Sequence, residues 1–133
     1  MSRIRSKNTK PEIVLRSRLH RLGYRFRLHD RKLPGTPDIV MPRHRMVVFC
    51  HGCFWHQHPN CKRAVLPKTN REYWLPKLSR NSDRFSQNVE NLQKLGWKVA
   101  VFWECEILSK NFNDAFIKRR IRSPASLPGL LQN

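Results

Sequence analysis

Asp38-Ile39-Val40-Met41 and Met46-Val47-Val48-Phe49-Cys50, separated by Pro42 to Arg45, read as the two strands of a hairpin. The second run is almost wholly apolar, as expected of a strand covered on both faces, so it belongs at the centre of a sheet. Working outward, Leu33-Pro34-Gly35-Thr36 is a turn that delivers the chain to Asp38. Before it, Tyr24, Phe26 and Leu28 alternate with Arg25, Arg27 and His29, a strand with one buried and one basic face. Thr9-Lys10-Pro11-Glu12 has the pattern of a helix start, and Leu15, Leu19 and Leu22 share one face of the helix before Gly23 ends it.

Downstream, residues 51–68 look irregular. Thr69 is placed to cap a helix carrying Tyr73 and Trp74, which Pro76 should break or kink. A second helix from Ser82, with Phe85, Val89 and Leu92 on one stripe, stops at Gly96. Trp97 to Trp103 is a buried strand, and Asn113 to Ile121 a short last helix. This order predicts a small α/β domain with a mixed sheet flanked by helices. One domain is expected over residues 1–122, with a poorly ordered tail over 123–133.

Lys and Arg total 27 against 9 Asp and Glu, a formal charge of +18 spread over almost every segment. A domain this positive attracts a polyanion, and nucleic acid is the first candidate. The 4 Trp and 7 Phe supply a packed core, which argues against a ribosomal extension of similar charge. No apolar run approaches the ~20 residues of a membrane span. The start, MSRIRSKNTK, lacks the apolar stretch of a signal peptide. A cytoplasmic, nucleoid-associated protein without membrane contact is expected, and its four cysteines read as metal ligands or free thiols before disulfides.

Cys53, His56, His58 and Cys61 lie within nine residues, and Cys105 follows the last strand. Zinc takes four N or S ligands, and a tight loop can supply three. Two ligand sets compete: Cys53, His58, Cys61 and Cys105, or all four cysteines including Cys50. Cys50 ends an apolar strand and can point into the core instead. Among the acids, Asp38 at a strand end is suited to hold Mg²⁺, or to bond its own backbone in a turn. Glu12 can close the helix cap or turn toward the core beside Leu15 and Leu19. Glu104 and Glu106 flank Cys105 and can support it as a ligand.

These residues carry a resemblance. Leu33-Pro34-Gly35-Thr36-Pro37-Asp38-Ile39-Val40, then Val48-Phe49-Cys50-His51-Gly52-Cys53-Phe54-Trp55-His56, then Tyr73-Trp74-Leu75 and Trp103-Glu104-Cys105, resemble the very short patch repair (Vsr) DNA mismatch endonucleases over Arg5 to about Cys105. The resemblance implies a restriction-endonuclease-like fold with one structural Zn²⁺. It implies a hydrolase that nicks one strand 5′ to the thymine of a T:G mismatch left by deamination of 5-methylcytosine. Asp38 and the backbone carbonyl of Cys50 would bind Mg²⁺, two ions bridging to the scissile phosphate. His56 would activate the attacking water, with an ordinary His pKa near ~6.5 suited to a base at neutral pH. His51 and Glu12 would position metal-bound waters. Cys53, His58, Cys61 and Cys105 would hold zinc. Phe54, Trp55 and Trp74 would enter the base stack, with Lys77 and Asn81 in the recognition region. The partner implied is double-stranded DNA with a T:G mismatch, acted on by a monomer, together with a repair accessory protein of the MutL type. The alternatives are an endonuclease of this fold without mismatch specificity and a non-catalytic zinc-stabilised nucleic-acid-binding module.

Overall fold

The computed structural model describes residues 9–124. Part of the expected tail, 125–133, lies outside the described residues. Helix α1 (Lys10–Arg21) starts where Thr9 Oγ1 accepts the Glu12 backbone N–H, with Pro11 in its first turn. It is followed by β1 (Arg27–Leu28), β2 (Ile39–Met41) and β3 (Met46–His51). Helix α2 (Arg71–Lys94) crosses over to β4 (Lys98–Trp103), and two short helices close the order, α3 (Glu104–Ile107) and α4 (Asp114–Arg122). The sheet runs β1-β2-β3-β4. The first three strands are antiparallel neighbours, and β4 pairs parallel with β3.

The central position of β3 follows from its two-sided burial. Met46 and Val48 face α1 and α4, in a cluster with Leu15, Leu19, Phe102 and Ile117. Val47 and Phe49 face α2, with Val89, Leu92, Val99 and Val101. Successive strand residues alternate sides, so an unbroken apolar run serves two cores at once.

Three expectations are corrected. Pro76 does not break a helix: α2 is continuous over 24 residues with Pro76 inside it, and its N-cap is Asn70 rather than Thr69. Pro76 lies in the second turn, and both it and Glu72, four residues earlier, are exposed. Water can satisfy the carbonyl that proline leaves unpaired there. The strand expected from Tyr24 is only two residues long. Tyr24 and Phe26 do pack on the core, but Leu28 is exposed. The short helix α3 had no sequence expectation; the Trp103 N–H donates to Glu106 Oε1 at 2.9 Å and starts it.

Candidate active site and metal centre

The C-terminal end of β3 and the start of β2 meet in a cleft of about 580 Å³, lined by His29, Asp38, Cys50, His51, His56 and Arg84 among others. The turn before β2 is built to clear it. Gly35 has φ of 76°, and a Cβ there would meet the Asn88 side chain at 2.9 Å. The Asp38 carboxylate does not make a local turn. Its Oδ2 accepts the Cys50 backbone N–H at 2.7 Å across the hairpin. Along a strand, a residue's N–H and C=O point to the same edge, so the Cys50 carbonyl faces that edge too. Burial pushes the Asp38 carboxyl up to about 6 against this hydrogen bond, and the neighbouring Glu12 carboxylate adds to the rise.

Glu12 lies on the core face of α1, as its spacing from Leu15 and Leu19 requires, and is only 2% exposed. Its Oε2 meets His29 Nε2 at 2.5 Å and accepts from Arg16 at 3.4 Å. Glu12, His29 and Asp38 each bring one ligand atom within 4.8 Å of the others, so the group could hold a metal ion. Two carboxylates with one imidazole suit a hard or borderline divalent cation. Sequence reasoning assigned His29 to the basic face of a strand and missed it. Its signal is a left-handed backbone, φ 48°, which turns it out of the strand pattern.

His51 ends β3 and is 4% exposed. Its ring stacks on His56 at 3.6 Å and 4°, with Phe85 edge-on at 4.3 Å. Among the described residues, both His51 ring nitrogens and His56 Nδ1 are buried without a hydrogen-bond partner. Such groups are costly unless something else satisfies them, so they mark a place for a ligand or water. Burial holds His51 neutral well below the ordinary histidine range and lowers His56 to about 4. The ordinary pKa expected for His56 is therefore corrected: the dry wall made by Phe85 and His51 disfavours the imidazolium.

Beyond the cleft, Cys53, His58, Cys61 and Cys105 bring their ligand atoms within 4.8 Å of one another and could hold a metal ion. Cys50 is outside this group, partly buried against the core, and so is His56. The His58 N–H donates to the Cys53 carbonyl at 2.9 Å, the Cys105 N–H donates to Cys53 Sγ at 3.4 Å, and the His58 ring stacks on Trp103 at 4.0 Å. The loop turns through two left-handed residues, Gln57 and Asn60, and the Gln57 amide braces it by donating to the Phe54 and Ala64 carbonyls. Glu104 ion-pairs with Arg63, while Glu106 is clamped by Arg120 at 2.7 and 2.9 Å. Each anchors a backbone segment beside Cys105 rather than touching the sulfurs.

Phe54, Trp55 and Trp74 meet edge to face with centroids 5.3 to 5.7 Å apart. None of the three belongs to either core cluster. Lys77 lies over Tyr73 next to them, and Asn81 Nδ2 donates to the Trp55 carbonyl at 3.5 Å. Trp74 thus joins an aromatic surface rather than the core.

The sequence profile of the DNA mismatch endonuclease Vsr family matches residues 1–63. The type II nicking enzyme V.XorIIP of Xanthomonas oryzae is 53% identical over 107 residues, 80% of this chain and 78% of that protein. V.NmeAIP of Neisseria meningitidis, also a type II nicking enzyme, is 42% identical over 122 residues, 92% and 86% of the two chains. The DNA mismatch endonuclease Vsr of Escherichia coli is 42% identical over 107 residues, 80% and 68%. With a mixed sheet, a cysteine–histidine metal cluster and relatives of this kind, the chain belongs to the Vsr family of DNA endonucleases.

Proposed function

We propose that this endonuclease is a Mg²⁺-dependent, strand-specific nicking enzyme that cleaves 5′ to the thymine of T:G mismatches. The observation that carries the reading is the juxtaposition of Asp38 and Glu12 with the stacked His51–His56 pair, in which both His51 ring nitrogens and His56 Nδ1 are buried without a partner among the described residues. Asp38 and the Cys50 carbonyl, on one strand edge of the cleft, would hold Mg²⁺. When bound, Mg²⁺ neutralises the scissile phosphate and stabilises charge on the attacking and leaving oxygens. His56 takes the proton of the attacking water. It is neutral at pH 7, hence free to accept, and the phosphate anion raises its basicity once DNA fills the cleft. His51 and Glu12 would orient metal-bound water.

Zinc on Cys53, His58, Cys61 and Cys105 would be structural, because four protein donors are enough to close its usual coordination shell. It fixes the loop that presents Phe54 and Trp55 beside Trp74. A wobble pair is cheaper to unstack than a matched one, and aromatic insertion contributes ~1–3 kcal/mol per stacked base. Lys77 and Asn81 flank that surface and contact the DNA there. The name of the Escherichia coli relative supports mismatch selectivity. A monomer with a single domain over residues 1–122 is part of the same reading. A MutL-type accessory protein would aid turnover. Among the described residues, no helix is long and apolar enough to cross a membrane, consistent with action in the cytoplasm on the nucleoid.

The test is a nicking assay on T:G and matched duplexes containing a cytosine-methylation site, with and without Mg²⁺. Nicking of the T:G duplex alone is expected, and only with metal. Equal nicking of both duplexes would make this an endonuclease without mismatch specificity, as the names of the type II nicking relatives leave open. Binding with a steep salt dependence and no cleavage would indicate a non-catalytic module.

A further inference from the structure

We propose that His29 is a positioning residue for the nicking reaction, holding the Glu12 carboxylate toward Asp38 across the cleft. The inference rests on the reading of Asp38 as the centre of a metal-dependent site. Glu12 and Asp38 come from different elements, α1 and the start of β2, and no backbone hydrogen bond between them is needed to build the fold. Their carboxylates nonetheless group within 4.8 Å with the His29 ring. Like charges at that range repel, and a glutamate has three torsions by which to swing away.

His29 supplies the restraint because it is tied to both residues. Its backbone N–H donates to the Asp38 carbonyl at 3.1 Å, extending the β1–β2 ladder by one rung. Its side chain then reaches back to Glu12 Oε2 at 2.5 Å. The left-handed φ of 48° at His29 swings the ring out of the strand's alternation and toward α1. That conformation is uncommon for residues other than glycine, although histidine, asparagine and aspartate adopt it more readily than most. A residue whose only task was to end β1 would gain nothing from a ring held against the buried Glu12 carboxylate. Arg16, one turn on from Glu12, approaches the same oxygen from the helix side, so Oε2 is held between two donors.

Two substitutions separate this role from a structural one. His29→Asn keeps a residue that tolerates the left-handed backbone but is too short to reach Glu12. His29→Gln extends an amide N–H to about the reach of the imidazole. Mn²⁺ binding to the zinc-loaded, Mg²⁺-free protein is measured by calorimetry, and single-turnover nicking of a T:G duplex is measured at saturating Mg²⁺. His29→Asn is expected to weaken Mn²⁺ binding and slow nicking by roughly tenfold or more each, as for an outer-shell partner. Mg²⁺-free duplex binding should stay near the wild-type level. His29→Gln should recover most of both losses. In the Glu12→Gln background, His29→Asn should add almost nothing, because its effect passes through Glu12. The role is overturned by an unimpaired His29→Asn, by a His29→Gln no better than His29→Asn, or by losses that add fully to those of Glu12→Gln. Metal-independent nicking by the wild-type protein overturns the reading of the site, whereas a metal-dependent wild type with normal His29→Asn overturns only the role of His29.

Discussion

The protein carries two donor clusters at one end of its sheet, and they are opposites in chemistry and construction. Cys53, His58 and Cys61 come from a nine-residue stretch, with Cys105 added from the end of β4. The donors are three sulfurs and one nitrogen, hemmed in by Trp103 and by backbone hydrogen bonds. Glu12, His29 and Asp38 come from three separate segments and offer two carboxylates and one imidazole. Asp38 and His29 line a cleft that a phosphate can enter. Soft donors in a closed set suit a metal that stays and holds a loop. Hard donors on an open cleft suit a metal that meets substrate. The difference shows how a chain of 133 residues keeps two candidate metal sites of different chemistry apart.

The largest expected effect breaks the first cluster. Without metal, burial pushes the Cys53 thiol up to about 12, an order that a bound cation reverses by deprotonating the thiol. Cys105→Ala should release zinc and lower stability by about 4–5 kcal/mol or more, with Asp38 untouched. Metal analysis and thermal unfolding check this. A variant that loses zinc but unfolds like wild type would mean that the loop does not depend on the metal.

Next in size, Asp38→Ala should abolish nicking, by at least ~10³-fold, since phosphate charge stabilisation is worth several kcal/mol. Zinc content and mismatch binding should persist. Retained nicking removes Asp38 from the metal site. His56→Ala should slow cleavage by ~10²–10⁴-fold, the usual contribution of a positioned base, again with full zinc. Zinc loss in that variant would move His56 into the first cluster and erase the distinction drawn here.

The smallest effect is the pH dependence of the second cluster. Folded Asp38 titrates near 6 and its usual value is 3.8. Between those pH values the native state binds the extra proton. Stability of the Mg²⁺-free protein therefore falls as pH rises through this window, and the full cost is present at pH 7. Asp38→Asn should remove a cost of up to about 3 kcal/mol at pH 7, shrinking toward pH 4. Denaturant titrations of the zinc-loaded, Mg²⁺-free protein at both pH values test this. An equal effect at the two would show that desolvation of the carboxylate is not the cause. In nicking assays, the Mg²⁺ needed for half-maximal rate should climb as pH drops below about 6, because protons then compete for the same oxygens.

Legibility in the sequence followed locality. The hairpin of β2 and β3 was readable because side-chain alternation and apolar runs are properties of adjacent residues. So were the cap at Thr9, the stripe of Phe85, Val89 and Leu92, and the cysteine–histidine loop. Pro76 misled because proline's cost depends on whether water reaches the orphaned carbonyl, and neighbouring residue types do not report that. Leu28 misled because a strand two residues long has no buried face to enforce alternation. Trp74 was ambiguous because an aromatic residue at helical spacing reads the same in a core and on a surface.

By itself, the sequence determined an α/β domain with a strongly positive charge, a soft-metal loop and a short set of acids from which any hard-metal site had to be drawn. It also carried the family likeness, since contiguous motifs survive without coordinates. Only the tertiary structure decided that Glu12, His29 and Asp38 converge, that His51 and His56 stack with unpartnered nitrogens, and that His58 rather than His56 joins the cysteines. The physical reason is that such groupings depend on how α1, the hairpin and α2 pack around one sheet. A single left-handed residue or an edge-on ring then changes which atoms meet, and no periodicity along the chain records it.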